Sequence, residues 1–323
     1  AEMTQRFIAL TVLTMACGLG IVGCDAGPED DGEHDAFQVR LLTSTPVSGR
    51  WERAAEMGLG RIAAEFDASV VRLRAVTSLR QRTLVAEQGE SGVDLVFCVG
   101  AGFENAVYSE APSFPGTRFV LLPGRGYGPN VGGIEIVPDG AAWVAGVVAA
   151  SLSSSKSVGV VRGAGGPWLD HVEGAFIKGF LSTSNRRNVV VVSSPEGPWE
   201  LVERGLKVAL YATDLPEAEV YAAAHDAGLL LVATDDSMID DEPDVIVAAV
   251  TVDVAEAMIR LTREVVDGIF TGGIYAFDLG SGVLDVRLNP TMVEANLPSI
   301  LEALERARSE VTAGIVEMEE LGI

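Results

Sequence analysis

From residue 37 onward, short apolar runs alternate with longer stretches in which apolar residues recur at helical spacing. The first apolar runs are FQVRLLTS (37–44), SVVRLRAV (69–76), VDLVFCVG (93–100) and RFVLLPG (118–124). Amphipathic segments such as WERAAEMGLGRIAAEF (51–66) separate them. Alternating strands and helices are typical of a parallel sheet that is covered by helices on both faces. The pattern therefore predicts a first α/β lobe.

A second series of the same kind follows the glycine-rich segment GRGYGPNVGG and the short strand IEIV. The predicted strands of this series are SVGVVRG (157–163), NVVVVSS (188–194) and LLLVATD (229–235). The segment WELVERGLKVALYA (199–212) is predicted to form one helix, and a long helix from Pro290 onward closes the chain. The sheet pattern thus begins again, which predicts a second lobe.

The two series predict an α/β protein of two doubly wound, Rossmann-like lobes with a central cleft. Lobe 1 spans residues 37–138 and is completed by about residues 250–286. Lobe 2 spans residues 139–249 and is completed by the C-terminal helix at residues 287–323. A chain of this length exceeds the size at which a single core keeps growing, which agrees with two lobes. In such folds the carboxyl ends of the strands face a shared crevice, where ligands bind.

The N-terminal segment has the charge-then-apolar order of a secretory signal peptide. Arg6 precedes the apolar run FIALTVLTMACGLGIVG, which ends at Gly23, and Cys24 follows. The end of this run resembles the bacterial lipoprotein signal, in which a cysteine is lipidated and becomes the new N-terminus. Residues 1–23 are therefore predicted to be a lipoprotein signal peptide and Cys24 the lipidation site. The alternative is an ordinary signal peptide, or a membrane helix, that contains the cysteine by chance.

The segment after Cys24 is acidic and nearly free of apolar residues. Residues 24–36 are rich in Asp, Glu, Gly and Pro and bury too little apolar surface to fold. We therefore predict a flexible tether between a lipid anchor and the folded lobes.

Charge and cysteine content limit the possible partners and disulfides of the protein. The formal net charge is −23 at pH 7, so nucleic acids and anionic lipid surfaces would repel the chain, and no nucleic acid partner is predicted. Of the three cysteines, Cys17 leaves with the signal peptide and Cys24 carries the lipid, so Cys98 has no partner for an internal disulfide. Cys98 lies in a strand-like run, where a thiol behaves as a small buried hydrophobic group.

Catalytic motifs are missing from the sequence. HExxH, GxSxG, a Walker A loop and a CxxC pair do not occur. The histidines, His34, His171 and His225, have no serine or cysteine nucleophile placed to complete a triad. The acidic segment TDDSMIDDEPD (234–244) lacks the alternating oxygen ligands and the central glycine of a calcium loop. The sequence therefore predicts a protein that is not an enzyme and that uses no metal and no cofactor.

Three tryptophans are candidate ligand contacts. Trp51, Trp168 and Trp199 follow SGR, GGP and EGP, and each is predicted near the start of a helix that follows a strand. Because these corners face the crevice, we expect the rings to form a stacking clamp for a flat ligand. The alternative is that each ring only staples its helix. Trp143 lies inside an apolar helix and is expected in the core.

Further candidate contacts are polar or lie next to a turn. Asp235 ends the strand-like run LLLVATD and directs a carboxylate at the crevice. Arg50 precedes Trp51 and favours an acidic or carbonyl group on the ligand. Phe103 lies in GAGFENA, a strand-to-helix turn whose free N–H groups are able to receive a polar ligand.

Nearly the whole mature chain resembles the basic membrane protein family of ABC transporter substrate-binding lipoproteins, which includes purine nucleoside receptors. The resemblance is carried by the order and spacing of VDLVFCVGAGFENAV, FPGTRFVLLPG, NVGGIEIVPDGAAWVAGVVAASLSSSKSVGVVRG, PWLDHVEGAFIKGF and LVATDDSMIDDEPDVIVAAVTVDVAEA. It implies the type I periplasmic binding protein fold, aromatic ligand contacts at Trp51 and Trp199, and an acidic one at Asp235. The chain departs from the family where Pro123 replaces an acidic residue, where TPVSGRW replaces an Asp-rich loop, and where Val250 and Thr251 replace a lysine.

The leading hypothesis is therefore a lipid-anchored solute receptor of an ABC importer. Its lobes close on a small planar, nucleoside-like solute on the extracytoplasmic, periplasmic side of the cell membrane. The predicted partners are the solute, an ABC permease and the membrane itself, through the lipid anchor; the receptor is expected to be a monomer. Two alternatives stay open, namely a sensor of the same fold that feeds a membrane signalling receptor, and an enzyme acting on a nucleoside-like ligand.

Overall fold

The computed structural model describes residues 36–44, 49–100, 102–153, 155–185, 187–214, 216–293 and 297–316. The predicted signal peptide, Cys24 and all but the last residue of the predicted tether lie outside the described residues.

Strands and helices alternate along the described chain. The strands are β1 (Gln38–Thr43), β2 (Ser69–Arg74), β3 (Leu95–Val99), β4 (Arg118–Leu122), β5 (Val131–Ile136), β6 (Ser157–Arg162), β7 (Asn188–Ser193), β8 (Val208–Ala212), β9 (Leu230–Ala233), β10 (Ile246–Val252), β11 (Gly273–Phe277) and β12 (Leu284–Leu288). The α-helices are α1 (Arg50–Phe66), α2 (Ser78–Glu90), α3 (Phe103–Glu110), α4 (Asp139–Leu152), α5 (Pro167–Ser182), α6 (Gly197–Glu203), α7 (Ala218–Ala227), α8 (Ser237–Asp241), α9 (Val254–Val266), α10 (Pro290–Val293) and α11 (Leu297–Thr312).

The strands form two six-stranded sheets. The first sheet has the order β11-β5-β4-β3-β1-β2, and its strand pairs are all parallel. The second has the order β12-β10-β9-β8-β6-β7, and only its edge strand β12 runs antiparallel to its neighbour. This arrangement confirms the predicted fold class of two doubly wound α/β lobes.

The described chain passes between the sheets at three places. These are the connections from β5 to α4, from β10 to α9 and from β11 to β12. The connections lie side by side, since the Val137 N–H donates to the Phe277 carbonyl at 2.8 Å and the Asp253 N–H donates to the Val283 carbonyl at 2.8 Å. Residues 284–286, which the sequence division placed with lobe 1, belong to β12 of the second sheet. Short, parallel connections of this kind are where two lobes can rotate.

The predicted helix over residues 199–212 is wrong in its second half. Helix α6 ends at Glu203, Gly205 has a positive φ of 80°, and the chain then enters strand β8. Every residue of β8 is buried, because β8 lies between β6 and β9 in the middle of the second sheet. A central strand buried on both faces reads as a continuous apolar run, which has no alternation to distinguish it from a helix.

The thiol of Cys98 and the indole of Trp143 lie where the sequence predicts them. Cys98 is a free cysteine in β3 with 1% exposure, and burial raises the pKa of its thiol. Trp143 lies in α4 and is 4% exposed. Both predictions of buried side chains are confirmed. Among the described helices, none combines the length and the apolar content that a bilayer span requires.

Helices α4 and α5 approach each other closely through two glycines. A Cβ atom on Gly146 of α4 would lie 2.1 Å from the Phe176 carbonyl oxygen, and one on Gly179 of α5 would lie 2.0 Å from the Trp143 carbonyl oxygen. Backbone atoms cannot move aside as the end of a flexible side chain can. The pair of glycines therefore sets the distance between the two helices in the core of the second lobe.

We expect Gly179→Ala to lower the free energy of unfolding by about 1–3 kcal/mol, because the added methyl group forces the two helices apart. The matched control is Gly174→Ala on the same helix, where a Cβ atom meets nothing within 4 Å. That variant should raise the free energy of unfolding by about 0.5–1 kcal/mol, since Gly inside a helix is less favourable than Ala. Urea denaturation of the two variants measures both changes in the free energy of unfolding. A Gly179→Ala protein as stable as the wild type would contradict the close contact.

Candidate ligand-binding site between the lobes

Helix α1 begins with a cation, which is unusual. Its first residue is Arg50, the residue before it is Gly49, and no side chain caps the helix. The positive end of the helix dipole lies at the N-terminus, where a positive side chain is unfavourable. The first turn also contains the acidic residue Glu52, and further negative groups approach Arg50 from outside the helix.

The stabilising groups come from the second lobe. Arg50 Nη1 lies 3.5 Å from Asp214 Oδ1, and Arg50 Nε lies 3.9 Å from Asp235 Oδ2. The Arg50 side chain is only 7% exposed. Burial lowers the pKa of Arg50, while the charges of Asp235 and Asp214 act in the opposite direction. The guanidinium of one lobe is thus held in a partly dry cleft by two carboxylates of the other.

The loops after adjacent strands fix the two carboxylates. Asp214 follows β8, and its Oδ2 accepts a hydrogen bond of 3.2 Å from the Gly166 N–H. Asp235 follows β9, and its Oδ1 accepts from the N–H and the Oγ of Ser237 at 3.0 and 2.8 Å. Each carboxylate is therefore anchored through one oxygen and turns the other toward Arg50.

Two tryptophan rings complete the surroundings of the guanidinium. Trp51 of α1 and Trp168 of α5 meet edge to face, with ring centroids 5.9 Å apart and planes at 88°. The Arg50 Cζ lies 5.2 Å from the Trp51 centroid and 4.3 Å from the Trp168 centroid, within the range of cation–π attraction. The rings are not parallel in this arrangement, and the side chain beside them is the protein's own arginine.

The space left in this cleft is small. One cavity of about 110 Å³ is lined by Arg50, Trp51, Met57 and Asp236, and a second of about 50 Å³ is lined by Arg50 and Asp214. Ligand pockets usually measure about 300–1,000 Å³. The lobes are therefore closed on each other, and a solute can enter this site only if they part or if Arg50 moves.

The site carries an excess of negative charge. Asp236 also lines the cleft, and burial, followed by the charge of Asp235, raises the pKa of its carboxyl group. Four carboxyl groups, those of Asp214, Asp235, Asp236 and Asp241, line the cavities of this cleft together with two guanidinium groups, those of Arg50 and Arg53. Among the described residues, no group of His, Cys, Asp and Glu side chains is arranged to hold a metal ion.

Four of the predicted contacts, Arg50, Trp51, Trp168 and Asp235, come together in this cluster. Trp199 lies in the first turn of α6 with 47% exposure, and Phe103 is fully buried in the same core cluster of the first lobe as Leu42. Arg50 was predicted to favour an acidic or carbonyl group on the ligand, and in the structure it faces Asp214 and Asp235.

Asp214 is the contact that sequence reasoning missed. The predicted helix over 199–212 concealed β8, so nothing marked Asp214 as the residue that follows a strand. The available signal was Gly205, because a glycine ends many helices and would have separated α6 from the VALYA run. Once β8 is recognised, Asp214 and Asp235 follow neighbouring strands and must lie at the same edge of the sheet.

Two parallel-sheet lobes, three adjacent connections and a polar, aromatic site between the lobes define a type I periplasmic binding protein. The family model for PnrA-like ABC transporter substrate-binding proteins, Bmp, matches residues 48–312. The chain belongs to this family. The description is that of a binding component of a transporter and not that of an enzyme.

Solved structures share the fold at low sequence identity. A protein described as a transcriptional activator of the comK gene from Bacillus halodurans superposes with a TM-score of 0.73 at 22% identity, covering 86% of this chain and 98% of that one. ABC transporter solute-binding proteins from Conexibacter woesei and Aeropyrum pernix superpose with TM-scores of 0.70 and 0.65, both at 17% identity. They cover 87% of this chain and 98% and 92% of their own. Among curated proteins, none matches this chain.

Proposed function

We propose that the protein is a lipid-anchored, extracytoplasmic solute receptor of an ABC importer. It binds a small planar, nucleoside-like solute between its lobes and presents the solute to a permease, as a monomer tethered through Cys24. The observation that carries the binding role is the cluster in which Arg50 and Trp51 of the first lobe meet Trp168, Asp214 and Asp235 of the second. Membership of the substrate-binding family supports the solute and permease partners.

The two kinds of side chain in the cluster have different tasks. The Trp51 and Trp168 rings supply apolar surface that accepts almost any flat group, with about 0.5–1.5 kcal/mol for each stacked pair beyond area burial. Discrimination comes from the polar groups, because a solute that leaves a buried carboxylate or guanidinium unpaired loses affinity. Because the contacts come from both lobes, binding of the solute favours the closed arrangement of the lobes. The permease can therefore recognise the solute-bound receptor by its closed shape.

The experiment starts from protein isolated from membranes of the native host, whose bound small molecules are identified by mass spectrometry and titrated back by calorimetry. We expect Trp168→Ala to weaken binding of the recovered solute by about ten- to a hundredfold, since it removes one ring and its apolar area. The control is Tyr127→Ala, which changes an aromatic side chain with 61% exposure outside the cluster. Equal affinities of wild type and Trp168→Ala would contradict the proposed site.

The same titration separates the receptor from an enzyme. A receptor returns its solute unchanged, whereas an enzyme converts it, so chromatography of the titrated mixture after prolonged incubation should recover the solute intact. Uptake of the labelled solute by intact cells with and without the protein then distinguishes an importer component from a sensor, because only the former loses uptake on deletion.

A further inference from the structure

The Arg50 guanidinium occupies the place that a solute would take. It is a flat cation lying near the faces or edges of two indole rings, with a carboxylate oxygen from each of two adjacent loops directed at it. Arg50 belongs to the first lobe, whereas Trp168 and both carboxylates belong to the second. The second lobe therefore presents a complete set of groups for a planar cation, and Arg50 fills it in the closed cleft.

The contacts of Arg50 in this place are imperfect. Its Nη1 is buried without a hydrogen-bond partner among the described residues, and so are Asp214 Oδ1 and Trp168 Nε1. The distance of 3.5 Å from Arg50 Nη1 to Asp214 Oδ1 exceeds that of an ordinary N–H···O hydrogen bond. A cation that is free to move can approach the carboxylates more closely than one fixed to the start of α1. Arg50 is thus a replaceable occupant.

The surrounding charge favours the same class of solute. Between Lys207 and Arg260 the sequence has twelve Asp and Glu residues and no Lys or Arg. This stretch contains β8, β9 and the loops that bear Asp214, Asp235 and Asp236. Such a field attracts cations to the cleft and repels anions. With Arg50 displaced, four carboxyl groups and the Arg53 guanidinium line the cavities, so the site keeps a net negative charge after one planar cation is bound.

We propose, on the basis of the receptor function above, that the solute carries a planar cationic group, of the guanidinium, amidinium or protonated heterocycle class, and that Arg50 holds its place until it binds. The cationic group stacks on Trp168 and donates hydrogen bonds to Asp214 and Asp235. Arg50 is displaced from the cluster at the same time. A neutral or anionic solute of equal shape would leave two carboxylates unpaired in the cleft.

The test uses three compounds of nearly the same shape and different charge: benzamidine is a planar cation, benzamide is neutral and benzoate is an anion. In wild-type protein we expect benzamidine to bind about ten- to a hundredfold more tightly than benzamide, and benzoate not to bind, because two charge-assisted hydrogen bonds distinguish them. In Arg50→Ala the benzamidine affinity should rise by a further factor of about ten, since its competitor is gone.

Carboxylate variants assign the effect to the cleft. Asp214→Asn and Asp235→Asn should each weaken benzamidine binding by about tenfold. Asp240→Asn removes the same charge from a side chain that is 68% exposed and pairs with Arg287, and it should leave the affinity unchanged. The carboxylate variants are measured with Arg50 in place, so they decide the question even if Arg50→Ala fails to fold.

The inference is overturned if benzamide or benzoate binds as tightly as benzamidine, or if the asparagine variants at 214 and 235 behave like the one at 240. A native solute that is neutral or anionic and loses affinity in Trp168→Ala would overturn the cation class and leave the receptor function standing. A native solute that binds wild type and Trp168→Ala with equal affinity would instead contradict the receptor site itself.

Discussion

Replacing Cys24 by Ala is expected to release the protein from the membrane or to leave its precursor unprocessed. Each buried CH₂ group of an acyl chain contributes about 0.8 kcal/mol, and stable anchoring needs at least two lipid signals. A diacylated cysteine meets this need. The net charge of −23 and the acidic tether give the protein no electrostatic attraction to an anionic membrane, so charge cannot replace the lipid. Loss of the Cys24 sulfur, which carries the lipid, should therefore remove the mature protein from the membrane fraction.

The measurement is fractionation of cells by ultracentrifugation, with mass spectrometry of the N-terminal peptide. The control is Cys98→Ala, which changes a cysteine buried in β3 and should leave the protein in the membrane fraction. The anchor hypothesis is contradicted if Cys24→Ala remains membrane-bound after its first 23 residues have been removed.

Arg50→Ala is expected to open the cleft. Asp214 and Asp235 would then lose the guanidinium with which both pair, and the Trp168 face would lose its cation. Removing one partner of a fully buried ion pair costs about 3–5 kcal/mol. Because Asp214 and Asp235 keep 25% and 19% side-chain exposure, we expect a smaller loss of about 1–3 kcal/mol here. The closed fraction should fall by about ten- to a hundredfold.

Small-angle scattering of the solute-free protein measures this change as a larger radius of gyration. The control is Arg82→Ala, because Arg82 pairs with Glu110 within the first lobe and its side chain is 62% exposed. Exposed pairs contribute about 0–1 kcal/mol and should have no influence on the lobes. Identical scattering curves for wild type and Arg50→Ala would show that the arginine does not hold the cleft closed.

The alternation of apolar runs and amphipathic segments was sufficient to predict two α/β lobes, although it missed strand β8 of the second sheet. Each predicted strand of the first lobe overlaps a strand of the structure, because a buried parallel strand needs a short apolar run and its covering helix needs a period near 3.6 residues. The same rule failed at residues 199–212. There only residues 204–207 separate the short helix α6 from the buried strand β8, and Gly205 among them has a positive φ.

The site shows the same division more sharply. The sequence by itself determined that Trp51, Trp168 and Asp235 follow strands and so lie at the ligand-facing edges, since strand ends are a local property. It also placed Arg50 beside Trp51, but predicted that Arg50 would favour an acidic or carbonyl group on the ligand. Only the tertiary structure decided that Arg50 faces Asp214 and Asp235 and that Trp51 meets Trp168 edge to face. These contacts join two lobes, and the relative placement of the lobes depends on the three connections between the sheets. That placement has no counterpart in the pattern of apolar and polar residues along the chain.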